Sequence, residues 1–414
     1  MRIPLEQFDR PVPALREVVR DFGLLYGANG LIAFIFAASG PVAIILTMGS
    51  RGGLDQTQLS SWIFGAFFVN SILSIAFCVL YRKPLVFFWT IPGTVLVGTA
   101  LSHLSFPEVV GAFIATGALM LILGLSGWVR RVMNIVPVPI VMAMVAGVFL
   151  QFGLDLVFAV RDGFAIAAPM CVMFVLLSVV GPLGRVLPPL IGALIAGVMA
   201  IVFTGSFNLV DDTRLAFVAP NFVHPEFSIA AMVELVVPLA ITVIVVQNGQ
   251  GFAILKAARH DPPVNAITVA CGGVSLVAAA TGTVSTCLTG PVNALISISG
   301  EHHRQYTAGI FVAVLGLLFG LFSSFFTSLM LASPSAFIAT LAGLAMLRVL
   351  QNSMTTAFGG TCTLGALITF LVTLADVPIF NLGAPFWGLL LGCATSWMLE
   401  RTDYARTLSA TVDK

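Results

Sequence analysis

Two short stretches decide how this chain folds. Residues 87–98 read FFWTIPGTVLVG and residues 285–297 read STCLTGPVNALIS. In each, a run of aromatic, β-branched or hydroxyl-bearing residues leads to a proline, Pro92 in the first stretch and Pro291 in the second. Proline lacks a backbone N–H and has a preset φ, so it suits the first turn of a helix. Each stretch therefore predicts a short strand followed by a half-length helix; a helix merely kinked at its proline is the alternative.

Composition places both stretches in lipid. The chain has 414 residues, of which 58% are hydrophobic and 9% charged, whereas soluble proteins carry about 25% charged residues. A net charge of +1 gives no sign of a nucleic-acid partner. The six cysteines lie in apolar segments without a C-x-x-C pair, so we expect free thiols, no metal site and no cofactor. The lipid bilayer is the expected solvent.

Charges and Pro/Gly clusters divide the chain into fourteen candidate membrane spans, which predict an all-α polytopic membrane protein. A membrane-spanning helix needs roughly 20 mostly apolar residues. The spans centre on residues 24–48, 60–80, 84–103, 108–129, 135–154, 163–181, 186–205, 229–256, 263–280, 282–299, 305–328, 333–351, 358–375 and 382–399.

The lysines and arginines predict the orientation. With both termini inside, only Arg51, Arg161 and Arg214 of the 19 lie outside, as the positive-inside rule favours. The first 22 residues are charged and lack the apolar core of a cleavable signal peptide. We therefore expect a multi-pass membrane protein with both termini in the cytoplasm.

The spans divide into two halves of seven. Because seven is odd, the second half enters the membrane inverted relative to the first, and the two broken spans, three and ten, occupy matching places. Matched broken spans in inverted repeats indicate the central site of a transporter. The predicted units are an N-terminal segment 1–22, a first repeat 23–205, an extracytoplasmic linker 206–228, a second repeat 229–400 and a cytoplasmic tail 401–414.

The broken spans predict an anion-binding site. Their half-helices would begin near mid-membrane with free N–H groups, among them those of Gly93, Thr94 and Asn293, and helix N-termini attract anions. Thr289 opens the second half-helix, and Trp89 offers aromatic surface that core packing explains equally well. Since unpaired strand edges are not tolerated in lipid, we expect the two strands to pair with each other.

Span eight carries a further polar cluster in VVQNGQGFAIL. In a continuous helix, Gln247, Gln250 and Gly251 share one face, while Asn248 points about 100° away. Amides often bond neighbouring helices in membranes. Three of them within four residues favour a face that binds a polar solute. In span one, Ser39 lies in a Ser-Gly-Pro break that fits a site and a simple kink equally well.

The remaining polar residues give weaker signals. Asp155, Glu234 and Asp376 lie near the predicted outer ends of spans, so solvated positions are favoured over proton relays. No residue is identified for proton coupling. The sequence contains no H-E-x-x-H or G-x-S-x-G motif, and its histidines lie at span ends or in loops. An intramembrane enzyme is therefore disfavoured.

Several motifs resemble the benzoate/proton symporter family, BenE. They are FWTIPG, VVQNGQGFAILKA with HDPPVN, SPSAFIATLAGLAML, ALITFLVT and NLGAPFWGLLLG. One departure is Gln250, which stands where the family motif Q-N-x-P-G has proline.

The resemblance implies the UraA-like fold shared with nucleobase, sulfate and bicarbonate transporters, with fourteen spans in two inverted repeats. It implies a core domain, 23–130 plus 229–328, and a gate domain, 131–205 plus 329–400. The substrate would lie between the half-helices of spans three and ten, the core would move like an elevator, and two copies would associate through their gate domains.

The resulting hypothesis is import of benzoate or a similar aromatic carboxylate together with protons. Such a carboxylate has a pKa near that of Glu, about 4.3, and is ionised at neutral pH. Backbone N–H groups and amides could bind it without a fixed cation. A nucleobase or inorganic-anion transporter of the same fold is the alternative, and an anion channel is a weaker one.

Overall fold

The computed structural model describes most of the chain. The described residues are 5–6, 11–129, 137–180, 187–206, 215–297, 300–377, 379 and 384–404. The predicted N-terminal segment, linker and C-terminal tail are therefore described only in part. The predicted boundary between core and gate at 130/131 lies outside the described residues, as does Arg214.

The first half of the chain is a series of helices interrupted by one strand. In chain order the elements are α1 (Leu15–Asp21), α2 (Leu24–Ala38), α3 (Gly40–Arg51), α4 (Gln56–Phe64), α5 (Asn70–Tyr81), β1 (Phe87–Trp89), α6 (Ile91–Ala100), α7 (Phe106–Ser126), α8 (Val138–Asp162), α9 (Phe164–Val179) and α10 (Pro189–Thr204). A π-helical stretch, Gly65–Val69, joins α4 to α5 without a break.

The second half follows the same plan. Its elements are α11 (Ile229–Ile241), α12 (Gly249–Ala257), α13 (Val264–Ala279), β2 (Thr286–Leu288), α14 (Gly290–Ile296), α15 (Tyr306–Leu321), α16 (Ser323–Leu331), α17 (Ser335–Phe358), α18 (Thr363–Ala375) and α19 (Ala384–Leu399). A π-helical stretch, Thr242–Asn248, joins α11 to α12, and a 3-10 turn, His302–Arg304, precedes α15.

Every predicted span contains one or more of these elements. Among the described residues, seven helices are long and apolar enough to cross a membrane, and six further apolar helices have 10–17 residues. Spans three and ten are each a strand followed by a short helix, as predicted. The inverted arrangement of fourteen spans stays a prediction.

The packing of the helices repeats between the two halves. α7 packs on α13 as α15 packs on α5, and α11 packs on α7 as α2 packs on α15. Likewise α3 packs on α6 as α12 packs on α14, and α9 with α10 as α18 with α19. α8 packs along α17, which would be its counterpart. Exchanging the halves leaves these contacts unchanged, as an internal two-fold repeat would require.

The two strands pair with each other, so that expectation is confirmed. β1 and β2 are antiparallel, with Phe87 opposite Leu288 and Trp89 opposite Thr286. One further bond extends the ladder at each end: the Thr90 N–H donates to the carbonyl of Ser285 (3.0 Å), and the Thr289 N–H donates to that of Val86 (3.0 Å). All six strand residues are buried.

Side chains satisfy the outer edges of this ribbon, because lipid offers no hydrogen bonds to an open strand. The Phe87 N–H donates to Ser74 Oγ (2.8 Å) and the Thr286 N–H donates to Ser275 Oγ (2.9 Å). Ser74 lies on α5 and Ser275 on α13, which flank the ribbon on opposite sides. Each hydroxyl also donates to its own helix, Ser74 to the Asn70 carbonyl (2.8 Å).

Span eight is continuous through its polar cluster. Residues 229–257 form one helix of 29 residues, so the predicted continuity is confirmed. The cluster begins inside the π-helical stretch Thr242–Asn248, whose wider turns change the angular spacing of the side chains. Gln247 and Asn248 are buried, whereas Gln250 is exposed.

Candidate functional site

The candidate site lies where the two strand–helix units meet. Trp89 ends β1, Thr94 and Gly93 lie in the first turns of α6, and Thr289 and Asn293 bracket the start of α14. All five are buried. The strand pairing holds both helix starts together, because the ladder continues to the residue before each helix.

The start of α6 is capped by Thr90, which the sequence analysis did not single out. Its hydroxyl accepts the Gly93 N–H (3.2 Å), and its carbonyl accepts the Thr94 N–H (2.9 Å). The Thr90 hydroxyl also donates to Thr242 Oγ1 (3.2 Å) in the π-helical stretch. The prediction that Gly93 and Thr94 offer free N–H groups is therefore wrong. A threonine two residues before the proline was a recognisable N-cap signal.

The equivalent threonine of the second unit behaves differently. Thr289 makes no side-chain cap at α14, and its carbonyl accepts the Asn293 N–H (3.1 Å), so this N–H is not free either. Its buried hydroxyl has no hydrogen-bond partner among the described residues, and the same holds for Trp89 Nε1 and Ser285 Oγ. Buried polar groups are usually paired, so such groups near one junction indicate a place for a polar ligand.

Two predicted amides serve the strands instead. Asn293 Oδ1 accepts the Val86 N–H (2.9 Å), and Asn293 Nδ2 donates to the Val86 carbonyl (3.3 Å), so the side chain substitutes for a strand residue. Asn248 Oδ1 accepts the Leu288 N–H (2.8 Å) at the outer edge of β2. Both side chains are fully buried. The structure places them as residues that position the ribbon.

Gln250 lies beside the start of α14. The Gln250 side chain lies over Gly290, where an added Cβ would come within 2.7 Å of Gln250 Oε1. Gly251 packs equally closely on Leu288, whose Cδ2 would lie 2.6 Å from an added Cβ. α12 and α14 thus approach as closely as glycine permits. Gln247, one turn earlier, is buried.

An aromatic cluster covers the strand end. The Phe67 ring lies 5.2 Å from that of Trp89, 5.0 Å from that of Phe88 and 4.6 Å from that of Phe319, measured between centroids. Rings at these distances and tilts stabilise one another beyond their buried area. The surface that the sequence analysis assigned to Trp89 is therefore part of a packed aromatic layer.

Span one is interrupted at Ser39, and the contacts of this residue favour a simple kink over a binding site. α2 ends before it and α3 begins after it, so the break is present. Its hydroxyl donates to the Phe36 carbonyl (3.0 Å), which satisfies the freed backbone group locally. Gly40 beside it packs against Ala345 and Leu190. Among the described residues, the hydrogen bond of the Ser39 side chain is made within span one and not at the Thr289 junction.

The prediction that Glu234 is solvated is wrong. Glu234, on α11, is 4% exposed, and its Oε2 lies 2.9 Å from Nε2 of His103. The turn after α6 folds His103 back over the carboxylate. Asp155 instead forms an ion pair with Arg51 at 2.7 Å, and Asp376 is exposed. Distance from a span end did not reveal this burial, because it depends on the path of a separate turn.

Comparisons with known proteins identify the family of this chain. The family model for BenE, benzoate membrane transport protein, matches residues 24–398. The Escherichia coli (strain K12) inner membrane protein YdcO is 31% identical over 369 residues, covering 88% of this chain and 93% of that protein. A benzoate membrane transport protein of Acinetobacter baylyi is 28% identical over 394 residues, covering 93% of this chain and 98% of that protein.

A solved structure shows the same fold. The transmembrane domain of the cyanobacterial bicarbonate transporter BicA superposes with a TM-score of 0.62 at 14% identity, covering 92% of this chain and 98% of that domain. The fold and the relatives define a membrane transporter rather than an enzyme. The chain belongs to the BenE family of benzoate membrane transport proteins.

Proposed function

We propose that this protein imports benzoate or a similar aromatic carboxylate across the bacterial inner membrane together with protons. The observation that carries the proposal is the buried, unpartnered Thr289 hydroxyl beside the start of α14, in a chain that matches the benzoate transporter family over residues 24–398. The A. baylyi relative is named for benzoate transport, and the E. coli relative for the inner membrane.

The chemistry of the junction supports an anionic, aromatic solute. The Thr289 hydroxyl and the Gln250 amide are hydrogen-bond donors on neighbouring elements, and a carboxylate accepts such bonds strongly. No carboxylate lies in the Gln247–Gly251 run to repel it. The layer around Phe67 and Trp89 supplies flat apolar surface for an aryl ring. Gln247, Gly251, Gly93 and Thr94 complete the proposed surroundings; Asn248 and Asn293 hold the strands.

Transport would proceed by movement of a core domain against a gate domain. The exchange of contacts between the halves, with α7 on α13 matching α15 on α5, supports the proposed inverted repeat of seven plus seven spans. α12 is in close contact with α14 at Gly290 and with β2 at Gly251, so a ligand enters only when these elements shift. From the resemblance to the family, we also propose that two copies associate through their gate domains. Both termini would lie in the cytoplasm.

The solute class is tested by ligand stabilisation of the purified protein. A ligand that binds the folded state stabilises it by RT ln(1 + [L]/Kd), so at equal concentration a tighter binder raises the melting temperature more. We expect benzoate to raise it more than uracil, sulfate or bicarbonate. The Thr289→Val variant should reduce the benzoate shift while melting at the wild-type temperature without ligand. A larger shift with uracil or bicarbonate than with benzoate would contradict the proposal and favour the alternative solute classes.

A further inference from the structure

A buried acid–base pair lies away from the proposed solute site. Glu234 Oε2 and His103 Nε2 are 2.9 Å apart, and the side chains are 4% and 17% exposed. The imidazole is the more exposed of the two side chains. Its other nitrogen, Nδ1, lies 3.2 Å from the hydroxyl of Ser102, which is exposed. The histidine thus connects the carboxylate to an exposed hydroxyl.

A carboxylate at such a position is costly and therefore informative. Ionisable side chains inside membrane segments are rare, and those that occur pair with one another and mark ion or proton pathways. A buried pair contributes little net stability, because desolvation offsets the attraction between the charges. Histidine is also the side chain whose ordinary pKa lies in the physiological range. The pair is better suited to exchanging a proton than to holding helices together.

The helices that line the pair carry few other ionisable side chains. The sequences of α6, α11 and α19 contain no ionisable side chain other than Glu234 and the thiol of Cys393. On α7, Glu108 accepts hydrogen bonds from the backbone and hydroxyl of Ser105, at 2.9 and 2.8 Å. A further charged group is Asp376, after α18: although the residue is exposed, partial burial raises the pKa of its carboxyl, and the charge of His103 opposes that rise.

The pair lies at the interface between the proposed core and gate domains. A cavity of about 10 Å³, roughly the space of one water molecule, is bounded by α6, α11 and α19. Glu234 lines it together with Thr99 on α6 and Phe386 on α19. α6 and α11 belong to the predicted core and α19 to the predicted gate. Any sliding of the core changes what the carboxylate faces.

We propose that the His103–Glu234 pair is a proton-binding site that couples transport to the proton gradient. The inference rests on the proposed function for its direction of transport. In the unloaded state His103 is neutral and Glu234 is ionised, so the pair carries one buried negative charge. One proton, passed through His103 to Oε2, converts the carboxylate to a carboxylic acid beside a neutral imidazole. The pair then has no net charge, and α11 passes α19 without moving a buried negative charge.

The first test needs no transported solute. Infrared spectra of the purified protein in lipid nanodiscs are recorded across a pH titration for wild type and Glu234→Gln. The expected result is a carboxylic acid band that appears on acidification in the wild type and is missing from the variant. A second variant, His103→Gln, should shift the pH at which that band appears. Identical titrations of wild type and both variants would overturn the assignment.

The second test separates coupling from transport. Glu234→Gln should lose accumulation of labelled benzoate driven by a pH gradient while retaining benzoate exchange between vesicles and medium at equal pH. The matched control is Asp155→Asn, which removes another ion pair, that with Arg51, and should keep the wild-type pH dependence.

Two outcomes overturn the coupling role. One is unchanged accumulation by Glu234→Gln. The other is a parallel loss of exchange and accumulation, which would mark Glu234 as merely structural. If wild-type protein moves no benzoate, the proposed function fails, and the infrared titration still decides whether the pair binds a proton.

Discussion

Replacing Asn293 by alanine tests whether the pairing of β1 and β2 depends on a side chain that hydrogen-bonds to strand backbone. Asn293→Ala removes the acceptor of the buried Val86 N–H and one donor to the Val86 carbonyl. The carbonyl keeps the Thr289 N–H, whereas the Val86 N–H loses its hydrogen bond to the Asn293 side chain. A lost hydrogen bond costs about 1 kcal/mol and an unsatisfied buried donor roughly 1–3 kcal/mol. We expect a total destabilisation of about 2–4 kcal/mol.

The assay is thermal unfolding of the purified variants, followed by tryptophan fluorescence in one detergent. Thr289→Val is the matched control, because it removes a buried hydroxyl without a partner at the same junction and should leave the melting temperature near that of wild type. The reasoning is refuted if Asn293→Ala melts with the wild type, or if Thr289→Val loses as much stability as Asn293→Ala.

Two further predictions concern the strand edge and pH. Ser74→Ala leaves the Phe87 N–H unpaired and should cost roughly 1–3 kcal/mol, whereas Ser71→Ala, which removes an unpartnered hydroxyl three residues away, should cost much less in the same melts. Burial lowers the pKa of His260 from 6.5 to about 4, against the opposing effect of its hydrogen bond to Gln305. The unfolded chain therefore binds this proton first, and the stability contribution present above pH 6.5 is lost between pH 6.5 and 4. His260→Asn should show a shallower fall in melting temperature over that range; an equal fall would contradict the assignment.

The broken spans could be predicted because their signals are local. A proline at the first turn, a preceding run that favours strand and the absence of hydrogen bonds from lipid together require two strands that pair. The span predicted at 229–256 is likewise one helix, Ile229–Ala257. These features depend on composition and on neighbours in sequence, which a single chain displays.

The partners of individual side chains could not be predicted in this way. Asn248 and Asn293 resemble binding amides in sequence, and only the register of β1 on β2 shows that they pair with strand backbone. Gln247 is buried and Gln250 is exposed, in a helix that is π-helical over Thr242–Asn248. Glu234 is buried because a turn from a different span places His103 over it, a contact between residues 131 positions apart.

Uptake of labelled benzoate into vesicles containing the purified protein tests the central claim most directly. Neutral benzoic acid crosses bilayers unaided, so vesicles without protein must be measured under the same gradient and their uptake subtracted. With an alkaline interior, the account predicts additional uptake that saturates with benzoate concentration, accumulates label above passive equilibrium and collapses when the proton gradient is dissipated. Uptake equal to that of protein-free vesicles, or flux that neither saturates nor accumulates label, would contradict it.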